Sequence, residues 1–298
     1  MSNSFVLASN YTDLLDMEFQ KDSVTARLSG DPAFVREGAD AHTIYYPEIS
    51  TTGLGDYSRS TGYPDGGVSL EWKSAAYNYD RGTRIMVDQM DDQETFNLAF
   101  GKAGQELQRL KVAPEADAFT FSKLAGLTGV TAPAAAAITT AAGFLEALLA
   151  ATDQMDNDEV PEENRYLFAL PNLVNSLMSL DSYKSQEVIA RFAEVVKVPK
   201  SRFMSAIELL DGTSQGETLG HYKPASGAKY LNFMIIYKPA LIKYDKHVAN
   251  NLLAPGQHTL SDGYVLMYRK YGIVDAYYNQ RAGIYVHTST TAVPTDSN

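Results

Sequence analysis

The chain has 298 residues, of which 45% are hydrophobic and 20% charged, so it is long enough for one large or two modest globular cores. It contains no cysteine, which excludes disulfides, thiolate metal sites and cysteine nucleophiles. Its net charge of -11, with 36 acidic and 25 basic residues and no basic run, argues against tight nucleic-acid binding, because such binding depends on clustered Lys and Arg.

The N-terminal region, residues 1–42, mixes polar residues with scattered apolar ones and has no convincing strand pattern before residue 41. We expect an extended arm that contains a short helix near residues 12–20. The first residues lack the basic and apolar regions of a secretory signal, so we expect no such signal.

Residues 43–81 have the pattern of a long two-stranded projection. A strand-like run at 42–46 is followed by turn-rich sequence at 50–67 and then by a strand whose apolar residues alternate with polar ones: Val68, Leu70 and Trp72. A strand of about 14 residues would extend about 45 Å, and such a projection is marginal unless it lies on another chain. The alternation changes phase after Ala75 and Ala76, which indicates a bulge or bend.

A long amphipathic helix is predicted next. Asp91 with Glu94 three residues later is an acidic variant of a helix-start signature. Apolar residues then follow at helical spacing: Phe96, Ala99, Phe100, Ala103, Leu107 and Leu110. Pro114 interrupts this helix, and its apolar stripe needs a partner surface.

The second half of the chain alternates helices and strands. Thr131 and Pro133 are predicted to open a second helix, whose apolar face contains Ile138, Ala141, Ala142, Leu145, Leu148 and Leu149. Polar residues and small alanines disfavour a transmembrane span there. We predict an acidic loop at 156–161, strands at 165–170, 188–198, 230–237, 240–244, 264–278 and 284–287, a helix from Pro171, and a frayed polar tail from Thr288.

One catalytic pattern occurs, at residues 212–216, where Ser214 occupies the nucleophile position of a Gly-x-Ser-x-Gly elbow. That motif places its serine on a turn between a strand and a helix, but no helical stripe follows here. We therefore favour a loop and keep a serine hydrolase that uses Ser214 as an alternative of another class.

Metal and cofactor sites have no support in the sequence. The acidic residues 156–159 lack the ligand spacing of an EF-hand, and the five histidines include no pair one helical turn apart. Helix capping explains Asp91 and Asp92 better than paired catalytic carboxylates do. We expect no catalytic residue, no cofactor and no metal site. The 19 tyrosines suit core, sheet or interface positions.

Three segments resemble the major capsid proteins of tailed bacteriophages: residues 79–82, 87–95 and 111–119. Weaker similarity follows in the same order at 197–203, 230–244, 261–264 and 283–285, so the resemblance covers roughly residues 41–287.

The resemblance implies an α+β fold of the HK97-like major capsid type. Its parts would be an N-terminal arm (1–42), an extended β-hairpin or E-loop (43–81), a peripheral domain with a long spine helix at 91–123 (82–130 and 255–280), an axial domain (131–254 and 281–288) and a tail (289–298).

The implied function is structural. The chain would assemble with itself into pentameric and hexameric capsomers of an icosahedral head shell, with scaffolding and portal proteins as partners. The shell would enclose double-stranded DNA without sequence-specific binding, contact no membrane, and be made in the host bacterial cytoplasm as part of the virion capsid. The alternative with the same fold is an encapsulin-like shell around a cargo enzyme.

Overall fold

A computed structural model describes residues 23–30, 36–37, 42–88, 104–180, 183–214, 217, 220–254, 256 and 263–294. In this part of the chain the strands are β1 (Arg36–Glu37), β2 (Thr43–Thr51), β3 (Val68–Ala76), β4 (Tyr79–Asp88), β5 (Arg165–Ala169), β6 (Glu194–Lys197), β7 (Ile207–Leu209), β8 (Tyr222–Pro224), β9 (Lys229–Tyr237), β10 (Leu241–Leu253), β11 (Gly263–Ala276) and β12 (Ile284–Ala292). The α-helices are α1 (Ala113–Ala125), α2 (Ala141–Asn157), α3 (Pro171–Ser179) and α4 (Tyr183–Ala190). The predicted α+β class is confirmed.

The main core is built around a four-stranded sheet of order β12-β9-β5-β6. Strand β9 is buried along most of its length, as its continuous apolar sequence predicts. Phe168 of β5 shares a face with Met234 of β9 and packs against Phe121 of α1. Phe233 points to the opposite face and packs against Phe144 of α2. Helices α1 and α2 therefore cover the two faces of the sheet.

A second sheet, of order β10-β11-β4, carries the longest strands. The hairpin β10–β11 is antiparallel, with a bulge between Asp245 and His247. Strand β4 pairs with β11 from Tyr79 to Asp88. The hairpin β2–β3 belongs to a third sheet with β1, so the chain changes sheets between Ala76 and Tyr79, where the sequence predicted a bend.

The predicted second helix starts later than expected. Helix α2 begins at Ala141, where the Thr140 hydroxyl oxygen accepts a hydrogen bond from the Gly143 N–H at 3.1 Å. The start at Thr131 and Pro133 is wrong, because the backbone there bonds to β12 instead. Thr131 bonds to Ile284 and Val286, and the Ala136 N–H donates to the Thr288 carbonyl.

Two other predictions in the second half are corrected. The strand at 188–198 is wrong in its first part, where α4 places Ser185 and Val188 on the core at helical spacing, and only β6 is a strand. The frayed tail from Thr288 is also wrong, since β12 continues to Ala292. Val293 is then buried and its N–H donates to the Ala228 carbonyl. The remaining strands and the helix from Pro171 are confirmed with shifted ends.

The long helix is irregular just before Pro114. Residues 104–107 are α-helical, Gln108–Val112 form a π-helical turn, and α1 follows. The Ala113 N–H reaches back five residues to the Gln108 carbonyl. Pro114 has no N–H, and its ring would clash with the carbonyl four residues earlier in a regular helix, so the wider turn makes room for it.

The π-helical turn also changes which residues face the core. Gln108 and Val112 are buried, whereas Leu110 is 54% exposed, so the prediction of Leu110 in the buried stripe is wrong. The helix start at Asp91 and Glu94, the stripe residues from Phe96 to Ala103, and the short helix at 12–20 lie outside the described residues.

Candidate assembly surface

The register of the β2–β3 hairpin divides its side chains between two faces. Pro47 lies opposite Trp72 and Ile49 opposite Leu70, so these four share one face with Val68. This face is open to solvent along its length: Ile49 is 62%, Val68 75%, Leu70 53% and Trp72 47% exposed. The sequence pattern predicted a half-buried strand, but in the described part of the structure these apolar side chains are about half or more exposed. Contiguous exposed apolar surface marks an interaction site.

The root of the hairpin is fixed to the body by its other face. Ile44, Tyr46 and Ala75 are buried in a small cluster with Ile242 of β10 and Ile273 of β11. The hairpin is therefore attached firmly at one end, and its strands have nine residues each, root included, and extend about 30 Å at about 3.3 Å per residue.

Further out, this second face is polar. Glu48 and Glu71 lie directly opposite each other, an unfavourable pairing of like charges. The Lys73 ammonium lies 2.9 Å from Glu71 and 3.7 Å from Glu48 and compensates both. Its hydrogen bond to Glu71 raises the pKa of Lys73 above the ordinary value. The two outer faces thus differ in kind, since one suits water and the other suits a protein surface.

The tip of the hairpin is a small ordered turn. Ser58 and Gly62 exchange backbone hydrogen bonds of 3.1 and 2.8 Å, and Gly62 has a φ of 82°, which favours glycine. The Tyr57 and Tyr63 rings pack edge to face beside it with centroids 5.0 Å apart. Both rings are largely exposed, so the tip presents aromatic surface.

A cavity of about 720 Å³ lies beside the hairpin root. Pro47 and Ile49 of the apolar face line it together with Tyr166 of β5, Leu241 of β10 and Tyr277. The apolar face therefore continues into a concave surface of the body.

Residues 23–25 are fastened to α1 by one buried carboxylate. Asp117 is fully buried, and its oxygens accept hydrogen bonds from the Ser23 and Thr25 hydroxyls, both at 2.7 Å. They also accept from the Val24 and Thr25 N–H groups at 3.1 and 3.0 Å and from Arg202 at 3.0 Å. These hydrogen bonds compensate the free-energy cost of burying the Asp117 carboxylate, and a buried carboxylate without such partners would destabilise the fold.

Lys243 of β10 holds the other side of the same segment. Its ammonium donates to the Thr25 carbonyl at 2.6 Å, and the Gly30 N–H donates to the Lys243 carbonyl. Desolvation of its ammonium by the surrounding protein, together with the nearby Lys270, lowers the pKa of Lys243 to about 8. Leu28 is buried in the main core between these contacts. Residues 23–30 are thus an integral part of the folded body.

A third network joins β4 to α1. The Arg81 guanidinium donates to Glu115 at 2.6 Å and to the Leu210 carbonyl at 2.8 Å. The Tyr79 hydroxyl donates to the same carboxylate at 3.3 Å. Burial, and then the Glu115 charge, raise the pKa of Tyr79 well above the ordinary value. This network fixes the end of β4 that lies nearest the hairpin.

Sequence reasoning did not single out these anchoring residues. Arg81 and Asp117 both lie inside segments that resemble the phage capsid proteins, and this resemblance is the sequence feature that could have pointed to them. Asp117 is 85 residues from its partner Arg202, and Arg81 is 129 residues from its partner Leu210, so no local pattern could identify these pairs.

The structure places Ser214 in the connection between β7 and β8. Its hydroxyl donates to Asp211 at 2.9 Å, and the Thr213 and Ser214 N–H groups bond to the same carboxylate. These bonds lower the pKa of Asp211. The arrangement is a polar turn rather than a nucleophile elbow, because Ser214 is not followed by a helix in the described part of this connection.

The other candidate site residues are dispersed. The predicted start of the acidic loop at Asp156 is wrong, because Asp156 and Asn157 lie in the last turn of α2, where Asp156 bonds to the buried Arg165. The loop follows Asn157, with Glu159 at a positive φ. Among the described residues, no group of three or more metal-ligating side chains could hold a metal ion. Asp91, Asp92 and His258 lie outside the described residues. No helix in the described part is long and apolar enough to cross a membrane.

No protein-family model and no curated protein matches this chain. Solved structures do match. The fold is similar to a chain from Mycobacterium phage Che8, at 13% identity and a TM-score of 0.56, over 89% of this chain and 90% of that one. It is similar to a chain of the mature capsid of bacteriophage PhiM1, at 12% identity and 0.57, over 85% and 83%.

It is also similar to a chain of a virus-like particle from Pyrococcus furiosus, at 10% identity and a TM-score of 0.59, over 94% of this chain and 98% of that one. These similarities extend over most of each chain. The resemblance to phage capsid proteins is therefore confirmed at the level of the fold.

Proposed function

We propose that this chain is the major capsid subunit of a tailed bacteriophage, which assembles into an icosahedral shell around double-stranded DNA. The observation that carries the proposal is a capsid-type fold from which a firmly rooted hairpin projects with largely exposed apolar side chains on one face. A row of neighbouring exposed apolar side chains favours burial against another copy.

The finer HK97-like assignments belong to the same proposal. The β2–β3 hairpin corresponds to the E-loop of 43–81, and the helix that includes α1 corresponds to the spine of 91–123. Strands β4 and β11 of the second sheet fall largely within the peripheral segments 82–130 and 255–280, whereas its strand β10 falls within the axial segment 131–254. The main core falls largely within the axial segments 131–254 and 281–288. Residues 1–42 correspond to the arm, of which residues 23–30 pack on the body, and residues 289–298 correspond to the tail, which begins inside β12.

The partners follow from this role. The subunit contacts itself in pentameric and hexameric capsomers, and scaffolding and portal proteins assist assembly in the host bacterial cytoplasm. The net charge of -11 suits a wall that encloses DNA without gripping it, since uniform repulsion eases packaging and release. The proposed role needs no cofactor, metal ion or membrane.

Assembly of the purified protein tests the proposal. The protein should form capsomers or closed shells visible by negative-stain electron microscopy, alone or with a scaffolding partner. A compact monomer that persists at high concentration with that partner present would contradict it.

A second candidate is an encapsulin-like compartment that encloses a cargo enzyme. The similarity to the virus-like particle from Pyrococcus furiosus favours keeping it. Contents decide between the two: particles recovered from their native source should contain nuclease-protected double-stranded DNA if the first proposal holds, and a protein cargo if the second does.

The proposed role includes no catalysis, which the variant Ser214→Ala tests. We expect assembly to be unchanged and no esterase activity to be lost, because Ser214 bonds to Asp211 in a polar turn. Stoichiometric labelling of Ser214 by a fluorophosphonate probe would favour the serine hydrolase instead.

A further inference from the structure

Strand β4 forms one edge of the second sheet. Within the described residues it pairs with β11 on one side, and no strand pairs with its other side. Its outer half is solvent-accessible, with Arg84, Met86 and Asp88 exposed and Ile85 and Val87 half-buried. An edge of this kind is a template for another strand.

The opposite edge of the sheet, strand β10, is less suited to pairing with another strand. Strand β10 has a bulge between Asp245 and His247, and the Gly30 N–H bonds to the Lys243 carbonyl. A bulge twists an edge away from further pairing. The outer half of β4, residues 83–88, has no register shift against β11 and so remains straight.

Two copies of β4 can pair antiparallel only about a twofold axis perpendicular to the sheet, which restricts the register. A residue and its opposite partner must then lie on the same face, so the centre of pairing falls on a single residue. A pairing centred on Arg84 would place the Arg84 side chains of the two copies opposite each other, which is unfavourable because both are positively charged. Centring on Ile85 places Arg84 against Met86, and centring on Val87 places Met86 against Asp88.

Centring on Met86 gives a different result. Arg84 then lies opposite Asp88 of the second copy, twice by symmetry, with Met86 against Met86 between them. On the other face, Ile85 lies opposite Val87, also twice. Opposite charges and apolar side chains in direct cross-strand positions both stabilise a sheet.

We propose that the outer half of β4 is an interface at which two copies of this chain join their sheets edge to edge, in the antiparallel register centred on Met86. The contact is isologous, and it is distinct from the apolar face of the β2–β3 hairpin. This proposal rests on the proposed function in one respect, which is that copies of this chain contact each other. It adds the register of the contact between the two β4 strands.

The absence of cysteine makes the register directly measurable. In the proposed pairing, two copies of Met86→Cys face each other with Cα atoms about 5 Å apart, within the range of a disulfide. The matched control is Thr83→Cys, which is exposed on the same strand. Its two copies would lie about 20 Å apart, because they are offset by six residues.

Each variant is treated with a mild oxidant, both as purified subunits at high concentration and as assembled particles, and non-reducing gels are run. We expect at least about tenfold more disulfide-linked dimer from Met86→Cys than from Thr83→Cys, since only the former meets the geometric requirement. Equal dimer from both variants, or none from Met86→Cys in either sample, would overturn the proposal.

Charge exchange gives a second measurement. Arg84→Asp in the Met86→Cys background should reduce the rate of dimer formation about fivefold, because like charges then face each other. Adding Asp88→Arg should restore it, and failure to restore the rate would refute the register.

The two proposals fail separately. Normal shells without the Met86→Cys dimer would leave the capsid function standing and remove the β4 interface. Formation of the Met86→Cys dimer without shells would support the β4 interface and contradict the capsid function.

Discussion

Asp117 shows how one buried carboxylate fastens a distant segment to the body. It has no solvent exposure, and its stability depends on the donors from residues 23–25 and on Arg202. We expect Asp117→Ala to lower the free energy of unfolding by about 3–5 kcal/mol, because Arg202 and several donors lose their partner.

Urea denaturation followed by circular dichroism measures the change. The control is Asp153→Ala, which removes an exposed carboxylate from α2 and should change stability by less than about 0.5 kcal/mol. Equal stability of the two variants would show that the Asp117 cluster does not stabilise the fold.

Lys243 predicts a pH dependence of stability. Its pKa is about 8 in the folded protein against an ordinary value of 10.5, because burial disfavours the charged form and Lys270 adds repulsion, while Asp117 and Asp245 partly offset these effects. Between these pH values the unfolded chain binds more protons, so stability rises with pH.

From pH 8 to 9.5 the gain from this group is on the order of 1 to 2 kcal/mol. Above about pH 10 the buried tyrosines act in the opposite direction, since the pKa of Tyr79 and of Tyr222 is raised by burial. Chemical denaturation of the wild type and of Lys243→Met across pH 7.5–9.5 tests this. A slope that is the same in both proteins would assign the effect to another group.

At the scale of elements, substitutions in the hairpin can distinguish the stability of the subunit from its assembly. Its root is in a buried cluster, whereas the apolar side chains of its outer part are about half or more exposed to solvent. Leu70→Asp or Trp72→Asp should therefore leave the melting temperature within a few degrees of the wild type and prevent or weaken shell formation.

Ser69→Asp is the matched control, because Ser69 is exposed on the polar face of the same strand. It should assemble normally. Thermal melting tests the fold and negative-stain microscopy tests assembly. Intact shells from Trp72→Asp would show that this face is not an interface between copies.

Sequence periodicity predicted those elements whose burial follows from their own residues. Strand β9 is continuous in apolar sequence and is covered on both faces. The bend after Ala76 was visible because the alternation of side chains changes phase there. Local pattern was sufficient in both cases.

Other elements depend on contacts that no local pattern contains. Residues 131–136 have helical composition, but their backbone bonds to β12, which lies some 150 residues further along the chain. Residues 188–190 are β-branched and small, yet they complete a helix because Val188 reaches the core at a spacing of three from Ser185. Tertiary contacts overrode propensity in both segments.

The same limit applied to the assembly surface. The alternation in β3 predicted the apolar face of Val68, Leu70 and Trp72, but it could not tell whether this chain or a neighbour covers it. The networks of Asp117 and Arg81 were not foreseen, because each joins groups from three separate parts of the sequence.

At the scale of the whole molecule, the arrangement predicts a gradient of local stability. Strand β9 has two paired neighbours and lies in the main core, whereas β3 is an exposed edge strand. Native-state hydrogen exchange of the subunit should find β9 among the slowest segments and the outer part of β3 among the fastest.

Assembly should alter this gradient selectively. Exchange from β3 should slow by at least about tenfold in shells, because its amides become less accessible, while β9 should change little. Exchange mass spectrometry of subunits and shells measures both. Unchanged exchange in β3 would indicate that the hairpin stays free after assembly.

The π-helical turn and Pro114 compensate each other. The turn contains one residue more than a regular helix would need to span the same turns. Deleting one residue from Gln108–Val112 would therefore leave residues 104–107 in nearly the same helical phase relative to α1. The deletion would also bring the proline ring against the carbonyl four residues earlier, which a straight helix does not tolerate. A change of length in this stretch thus requires a matching change at position 114 if the helix is to stay straight.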